Sequence, residues 1–145
     1  MATFNKVNDF VLNAVQTMNL STDQVTLALS NTAPGTETSD PSADSNGILA
    51  NVTEIVYTNL SSRNVTTTSS AQAAGTYKLV LTDITLTSSG GSTGPFQYVY
   101  IFDDTTTAPI DALIGFYDYG SALTLNDGDS LTVDFSAANG VLQIV

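Results

Sequence analysis

The side chains that most often carry out catalysis are missing from this sequence. It has no histidine and no cysteine, so it lacks the commonest general base, the thiolate nucleophile and two leading metal ligands. A pair of carboxylates is still conceivable, because a glycosidase needs only two, and Asp103 and Asp104 are adjacent. Neighbouring residues of an extended chain usually point apart, however, and the chain has no tryptophan to stack on a sugar. We therefore expect no catalytic residues and no enzyme activity.

The segment NDGDS at 126–130 has the oxygen-rich composition of a calcium loop. It lacks the spacing of an EF-hand loop and the bidentate glutamate that closes one. Stretches of alternating apolar residues lie on both sides of it, and between two strands the same residues make a hairpin turn in which Gly128 supplies a positive φ. We interpret the segment as a turn and expect no metal and no cofactor.

Aromatic residues form the most distinctive clusters. In FYDY at 116–119 the rings could stack on a ligand, but tyrosines with one apolar face and one wet edge more often lie in a core or at a protein interface. A second cluster occupies 96–102, where both alternating sets of side chains are apolar, as in a strand covered on both faces or pressed against a partner. The candidate interface residues are Phe96, Tyr98, Tyr100, Phe102, Phe116, Tyr117 and Tyr119.

Size and charge limit the classes of partner. The chain has 145 residues, of which 42% are hydrophobic, which is enough for one domain with its own core. Only three cations, Lys6, Arg63 and Lys78, accompany fourteen acids, giving a net charge of −11. Three scattered cations cannot neutralise a row of phosphates, so we expect no nucleic-acid partner, and an anionic membrane is disfavoured for the same reason. The acidity is typical of solubility and self-repulsion.

Targeting segments are not evident in the sequence. The first five residues, MATFN, have neither a basic region nor an apolar one, so we expect no signal peptide. No stretch approaches the roughly 18 apolar residues that a spanning helix needs, so we expect no membrane partner.

One helix is predicted near the start of the chain. Apolar residues recur there at i, i+3, i+4 and i+7, which predicts an amphipathic helix over 5–18. It could serve as a docking arm or pack on its own domain, and we favour packing on the domain. The stripe consists of Val7, Phe10, Val11, Ala14, Val15 and Met18.

The rest of the chain has the alternation of short strands, so we predict a mainly β fold, an antiparallel β-sandwich or jelly roll, in a single domain over 1–145. A one-residue phase change at Thr82-Asp83 indicates a bulge or a bend. The residues 30–50 form a long acidic loop, either functional or mobile. Further loops are expected at 88–95 and 103–109. The predicted strands are 25–29, 64–69, 77–81, 84–86, 96–102, 112–119, 123–125, 131–135 and 141–145.

Several short motifs follow one another along nearly the whole chain. The first are NKVNDF at 5–10, LSNTAP at 29–34, SAQ and GTYKL within 70–79, and GGSTGPF at 90–96. The later motifs are GFYDYG at 115–120, GD at 128–129, VDF at 133–135 and NGV at 139–141. Together they resemble a family of small virion structural proteins of tailed phages and prophages, of which residues 35–50 match no pattern.

The resemblance implies a jelly-roll head decoration (cement) protein, with no catalytic or metal residues to carry over. On this reading the chain is made in the host cytoplasm and ends on the capsid surface of the virion. Its partners are the major capsid protein and further copies of itself, in a trimer at local threefold positions of the head. A tail or head–tail connector component is the alternative, and a carbohydrate-binding module is a weaker one.

Overall fold

The computed structural model describes residues 2–145 and consists mainly of antiparallel strands. Within residues 2–145, one α-helix, α1, and two short 3₁₀ helices, Pro34–Thr36 and Leu49–Asn51, accompany ten strands. The predicted antiparallel β-sandwich with one N-terminal helix is confirmed, whereas the jelly-roll connectivity stays a prediction. The elements are β1 (Thr3–Lys6), α1 (Phe10–Gln16), β2 (Val25–Ser30), β3 (Asn64–Val65), β4 (Thr67–Ala73), β5 (Thr76–Leu81), β6 (Ile84–Thr87), β7 (Thr93–Thr107), β8 (Ile110–Leu125), β9 (Ser130–Val133) and β10 (Leu142–Ile144).

The strands form three sheets that share one core. The largest sheet has the order β1-β8-β7-β2-β3, and the smaller ones are β10-β5-β4 and β6-β9. Apolar side chains of the two smaller sheets, such as Leu79 and Leu86, belong to the same buried cluster as those of β7 and β8. The rings of Tyr117 and Phe135 meet across this core with their centroids 6.1 Å apart. The long hairpin of β7 and β8 is therefore the centre of the fold.

Strand β7 is buried on both of its faces. Val99 and Ile101, which point to one face, and Tyr100, which points to the other, are fully buried, and Tyr98 is 9% exposed. The strand lies between β2 and β8, so its backbone is paired on both sides as well. The prediction that 96–102 is a central strand covered on both faces is confirmed.

The residues 31–57 cover the face of the large sheet that lies opposite the two smaller sheets. The carboxyls of Glu37 and Asp40 lie near the buried Tyr100, and the amide of Leu113 in β8 donates to Gly47 O at 2.9 Å. The Asp9 carboxylate accepts hydrogen bonds from the amides of Ser45 and Gly47, both at 2.8 Å. The segment at 30–50 is irregular, as predicted, and the hydrogen bonds of Gly47 hold its last part against the fold.

The helix is shorter than its apolar period indicates. Residues 3–6 form β1, whose residues pair with β8 from Asp118 to Gly115, so the prediction of a helix from residue 5 is wrong. Pairing with a formed sheet edge supplies cooperative hydrogen bonds that a two-turn helical extension cannot match in water. Only the segment from Phe10 onwards is left to form α1.

Two predicted breaks in the second half of the chain are wrong. The residues 103–107, predicted as loop, continue β7, because Thr105, Thr106 and Thr107 are β-branched and Thr107 pairs with Ile110 of β8. The predicted strands 112–119 and 123–125 are one strand, β8. A shift of register at Gly120, whose φ is +76°, breaks the alternation without ending the pairing with β7.

The turn at 126–129 exists but does not close a hairpin. It leads from β8 in the large sheet to β9, and β9 pairs with β6 in the two-stranded sheet. The hairpin prediction is wrong because alternation on both sides of a turn does not reveal which strands pair. The predicted bend at Thr82-Asp83 does occur, where the chain passes from β5 to β6 in a different sheet.

Candidate docking surface

Only half of the apolar stripe on α1 packs against the protein itself. Phe10 is 1% exposed and points into the core. Val11, Leu12 and Val15 are 51%, 56% and 81% exposed. We call these three residues the α1 apolar surface. At 100° per residue they occupy a continuous arc, because Val15 is one turn beyond both Val11 and Leu12.

The local sequence explains why the helix leaves this surface uncovered. Phe10 and the buried Asn13 lie on the side that faces the core, and Thr17 ends the helix with its hydroxyl donating to Asn13 O at 3.0 Å. A seven-residue helix is marginal in water by itself, so the burial of Phe10 and the contacts of Asp9 hold it in place. Much of the apolar surface of the three exposed side chains stays in contact with water, which is unfavourable.

A groove of about 250 Å³ continues the α1 apolar surface towards β5 and β10. Its walls include Ala14 and Met18, which adjoin Val11 and Val15 around the helix axis. Across the groove the Tyr77 hydroxyl shares a hydrogen bond of 2.8 Å with that of Ser70, and Ile144 is 45% exposed. The full lining is Ala14, Met18, Asn19, Leu20, Ser70, Tyr77 and Ile144, which contains no charged residue.

The α1 apolar surface and the groove beside it carry no charge, although the molecule is acidic. All seven residues of α1 are uncharged in a chain whose net charge is −11. Arg63 lies elsewhere, 3.8 Å from the Glu54 carboxylate and over the Tyr57 ring. Lys78 donates from its Nζ to Ala138 O at 3.1 Å. An uncharged apolar surface on an acidic protein suits a partner protein rather than an ion or a small polar ligand.

The predicted interface residues of the 96–102 cluster lie in the core. Phe96, Tyr98, Tyr100 and Phe102 are at most 9% exposed, so in the single chain they have no surface to offer a partner. Their pattern correctly predicts a strand that is buried on both faces. It does not show whether the residues that bury it belong to the same chain or to a partner. For these four residues the interface interpretation is corrected to core.

The other three predicted interface residues, Phe116, Tyr117 and Tyr119, are half-buried. Phe116 packs on the Tyr100 ring at 5.3 Å, and Tyr117 packs on the Phe4 ring at 5.4 Å. Burial raises the pKa of Tyr117 to about 12 and also raises that of Tyr119. These rings are anchored in the fold, and their outer edges are the part that a partner could reach.

The adjacent carboxylates Asp103 and Asp104 point apart, as expected for neighbours on a strand. Asp103 is fully buried and Asp104 is exposed. The carboxyl of Asp23 lies near Asp103 and contributes to the rise in its pKa. Sequence reasoning missed this pair, because the signal lies in the register: Val25 pairs with Asp103, which places Asp23 diagonally across on the same face.

Burial, with the Asp23 carboxyl adding to it, raises the pKa of Asp103 from 3.8 to about 6. Its Oδ1 accepts from the Thr105 amide at 3.0 Å, while its Oδ2 has no partner among the hydrogen bonds of residues 2–145. Burial with one oxygen unpaired disfavours the charged form of this carboxyl. Because a fully buried carboxyl cannot touch a substrate, we expect Asp103 to affect the stability of the fold.

The carboxylates of the acidic turn at 126–129 accept hydrogen bonds from groups of the same chain. Asp129 accepts from the amide and the side-chain nitrogen of Asn126, both at 2.9 Å, and these bonds lower its pKa. Asp127 accepts from the Gly90 amide at 2.8 Å. Within residues 2–145, no three acidic side chains come together in a way that could hold a metal ion.

We expect calcium to make no difference to the stability of the protein. Since the carboxylates of the 126–129 turn already bond to amides, neither added calcium nor EDTA should move the melting temperature beyond experimental error. Differential scanning calorimetry with each addition checks this expectation. A rise of several degrees with calcium, reversed by EDTA, would show that the folded state binds the metal.

No helix in the described part of the chain has both the length and the apolar character needed to cross a membrane. Comparisons of the chain with family models, with curated proteins and with solved structures returned no match.

Proposed function

We propose that this protein is a structural component of a tailed-phage virion that binds the outer surface of the head and stabilises it. The observation that supports this proposal is the α1 apolar surface, an uncharged patch with three exposed apolar side chains on a protein of net charge −11. Such a patch fits a protein surface, and the sequence motifs resemble those of virion structural proteins. The missing histidine and cysteine favour a binding role over a catalytic one.

The contact would use the α1 apolar surface and the groove beside it. The major capsid protein would supply an apolar side chain to the groove between Met18 and Ile144, while Val11, Leu12 and Val15 cover the surrounding area. The acids elsewhere keep free subunits soluble and apart until they bind. One such interface is small and weak. Repetition over the whole head would let many weak contacts resist internal pressure together.

Val15→Asp should weaken binding to the head strongly without unfolding the protein. Val15 is 81% exposed, so the carboxylate is hydrated in the free subunit and must lose that hydration on binding. We expect affinity for stripped heads to fall roughly thirtyfold, the size of a hot-spot loss. Co-sedimentation of the purified subunit with heads measures it. Val56→Asp, at a position that is 76% exposed and outside the docking surface, is the matched control and should bind normally.

A heating experiment tests the function itself. Heads that lack the protein should assemble and package DNA but release it at a lower temperature, and added wild-type protein should restore resistance where Val15→Asp does not. If heads fail to form, the protein belongs to the lattice or its assembly. If heads are normal and tails are missing, the protein is a tail or head–tail component, and its copy number in virions should be correspondingly low.

A further inference from the structure

Strand β4 is the longest strand at a sheet edge, and its free side is unprotected. It pairs only with β5, and its seven residues make no other backbone hydrogen bond in the described chain. Proteins usually guard such an edge with lysine, proline or an inward-pointing charge, because unpaired N–H and C=O groups recruit further strands. The strand TTSSAQA contains none of these, although a bulge lies near its first residues.

The charge pattern makes this edge the place where two copies can approach. Between Arg63 and Lys78 the chain has no charged residue. In a protein of net charge −11, two copies repel each other over most of their surfaces. Two other edge strands do have charged residues at their ends: β1 ends at Lys6, and β9 is flanked by Asp129 and Asp134. Edge pairing through β4 brings no like charges together.

The turn after β4 determines which backbone groups are free. Ala74 and Gly75 have φ of 51° and 84°, as in a two-residue type I′ hairpin turn. In that hairpin Ala73 and Thr76 form a hydrogen-bonded pair, and the alternation makes Ala71 and Lys78 the next such pair. The N–H and C=O groups of Ser70 and Gln72 therefore point to the free edge.

We propose that a second copy of this chain pairs with β4 in antiparallel fashion about a twofold axis at Ala71. In this register Ser70 of one copy exchanges both backbone hydrogen bonds with Gln72 of the other, and the two Ala71 residues lie directly opposite each other. Ser69 lies opposite Ala73. Every pair is uncharged, and the two β10-β5-β4 sheets become one six-stranded sheet.

The contact makes a dimer, not the trimer that the family resemblance implies. It involves about five residues on each side, well below the roughly 1,200 Å² of a standard interface, so the dimer should be weak. Its formation should strengthen with salt, because salt screens the repulsion between the two acidic copies. The proposal does not depend on what the α1 apolar surface binds.

A single cysteine in this cysteine-free chain tests the register. Directly opposed residues of a non-hydrogen-bonded antiparallel pair have Cα atoms about 4.5 Å apart, within the range of a disulfide. Ala71→Cys should therefore form a covalent dimer under mild oxidation, at least tenfold faster than Ala122→Cys, which is equally exposed on β8. Ser69→Cys should also be slow, because its opposite residue is Ala73. Non-reducing electrophoresis over time gives the rates.

The association of the native protein gives the second measurement. Sedimentation velocity over a range of concentrations should show a monomer–dimer equilibrium that Ala71→Glu weakens roughly fivefold, since it places two carboxylates opposite each other. Ala122→Glu should leave the equilibrium unchanged. Equal oxidation rates for the three cysteine variants, or a trimer that Ala71→Glu leaves intact, would overturn the proposal.

Discussion

Val99→Asp should unfold the protein under conditions in which the wild type is fully folded. Val99 has no exposed surface, and it lies on the central strand between two paired neighbours. An unpaired carboxylate buried there costs about 3–5 kcal/mol, which is comparable to the whole stability of many domains. Chemical denaturation followed by circular dichroism measures the loss. Val56→Asp, on an exposed site, should change stability by no more than about 0.5 kcal/mol.

Tyr98→Asp tests the opposite face of the same strand. Tyr98 is 9% exposed and packs edge-on to Phe116 with centroids 6.3 Å apart, under the cover of the 31–57 segment. We expect a loss close to that of Val99→Asp. If Tyr98→Asp instead melts like the wild type, the segment over that face opens readily enough to let water reach the carboxylate.

Asp103→Asn should make the protein more stable at neutral pH. The raised pKa of Asp103, about 6 against 3.8, means that the folded state holds the proton more tightly than the unfolded state. As pH rises from about 4 to about 6, the unfolded state loses this proton first, so stability falls across that window and stays low above it. The shift corresponds to about 2–3 kcal/mol. The side-chain oxygen of an asparagine at 103 can still accept from the Thr105 amide. Its NH₂ group can donate to the Asp23 carboxylate at any pH.

The comparison of denaturation curves at several pH values isolates this effect. The difference between wild type and Asp103→Asn should be largest above pH 6 and should shrink towards pH 4. Asp104→Asn, at the exposed neighbour, removes the same formal charge and should not reproduce it. A constant difference across the range would mean that Asp103 does not hold a proton in the folded state.

Local patterns in the sequence predict where the strands lie better than they predict which strands pair with each other. Alternation identifies β2, β5 and β7, and the double apolar pattern of 96–102 correctly marks the centre of the sheet. The same patterns do not predict that β9 pairs with β6, because pairing depends on contacts between distant residues. The extent of β8 was missed for a local reason: Gly120 interrupts the alternation while the ladder continues.

The candidate site could be predicted only in part. The apolar stripe of α1 is evident in the sequence, but a period of 3.6 residues does not say which side of a wide stripe faces the core. Leu12 falls outside that stripe and yet completes the exposed surface. The Asp23–Asp103 pair and the free edge of β4 depend on strand register and sheet order, which a single sequence does not contain.

The carboxylate of Asp9 joins two parts of the molecule that have different roles. It holds the amides of Ser45 and Gly47 within the covering segment 31–57, and it also immediately precedes α1. Local opening of either part breaks the same two hydrogen bonds, so the two should open as one cooperative unit in hydrogen exchange. A partner that clamps the helix should therefore slow amide exchange in 42–47, at a distance from anything it touches. Slower amide exchange in 42–47 would therefore indicate binding at α1, although the partner does not contact 42–47.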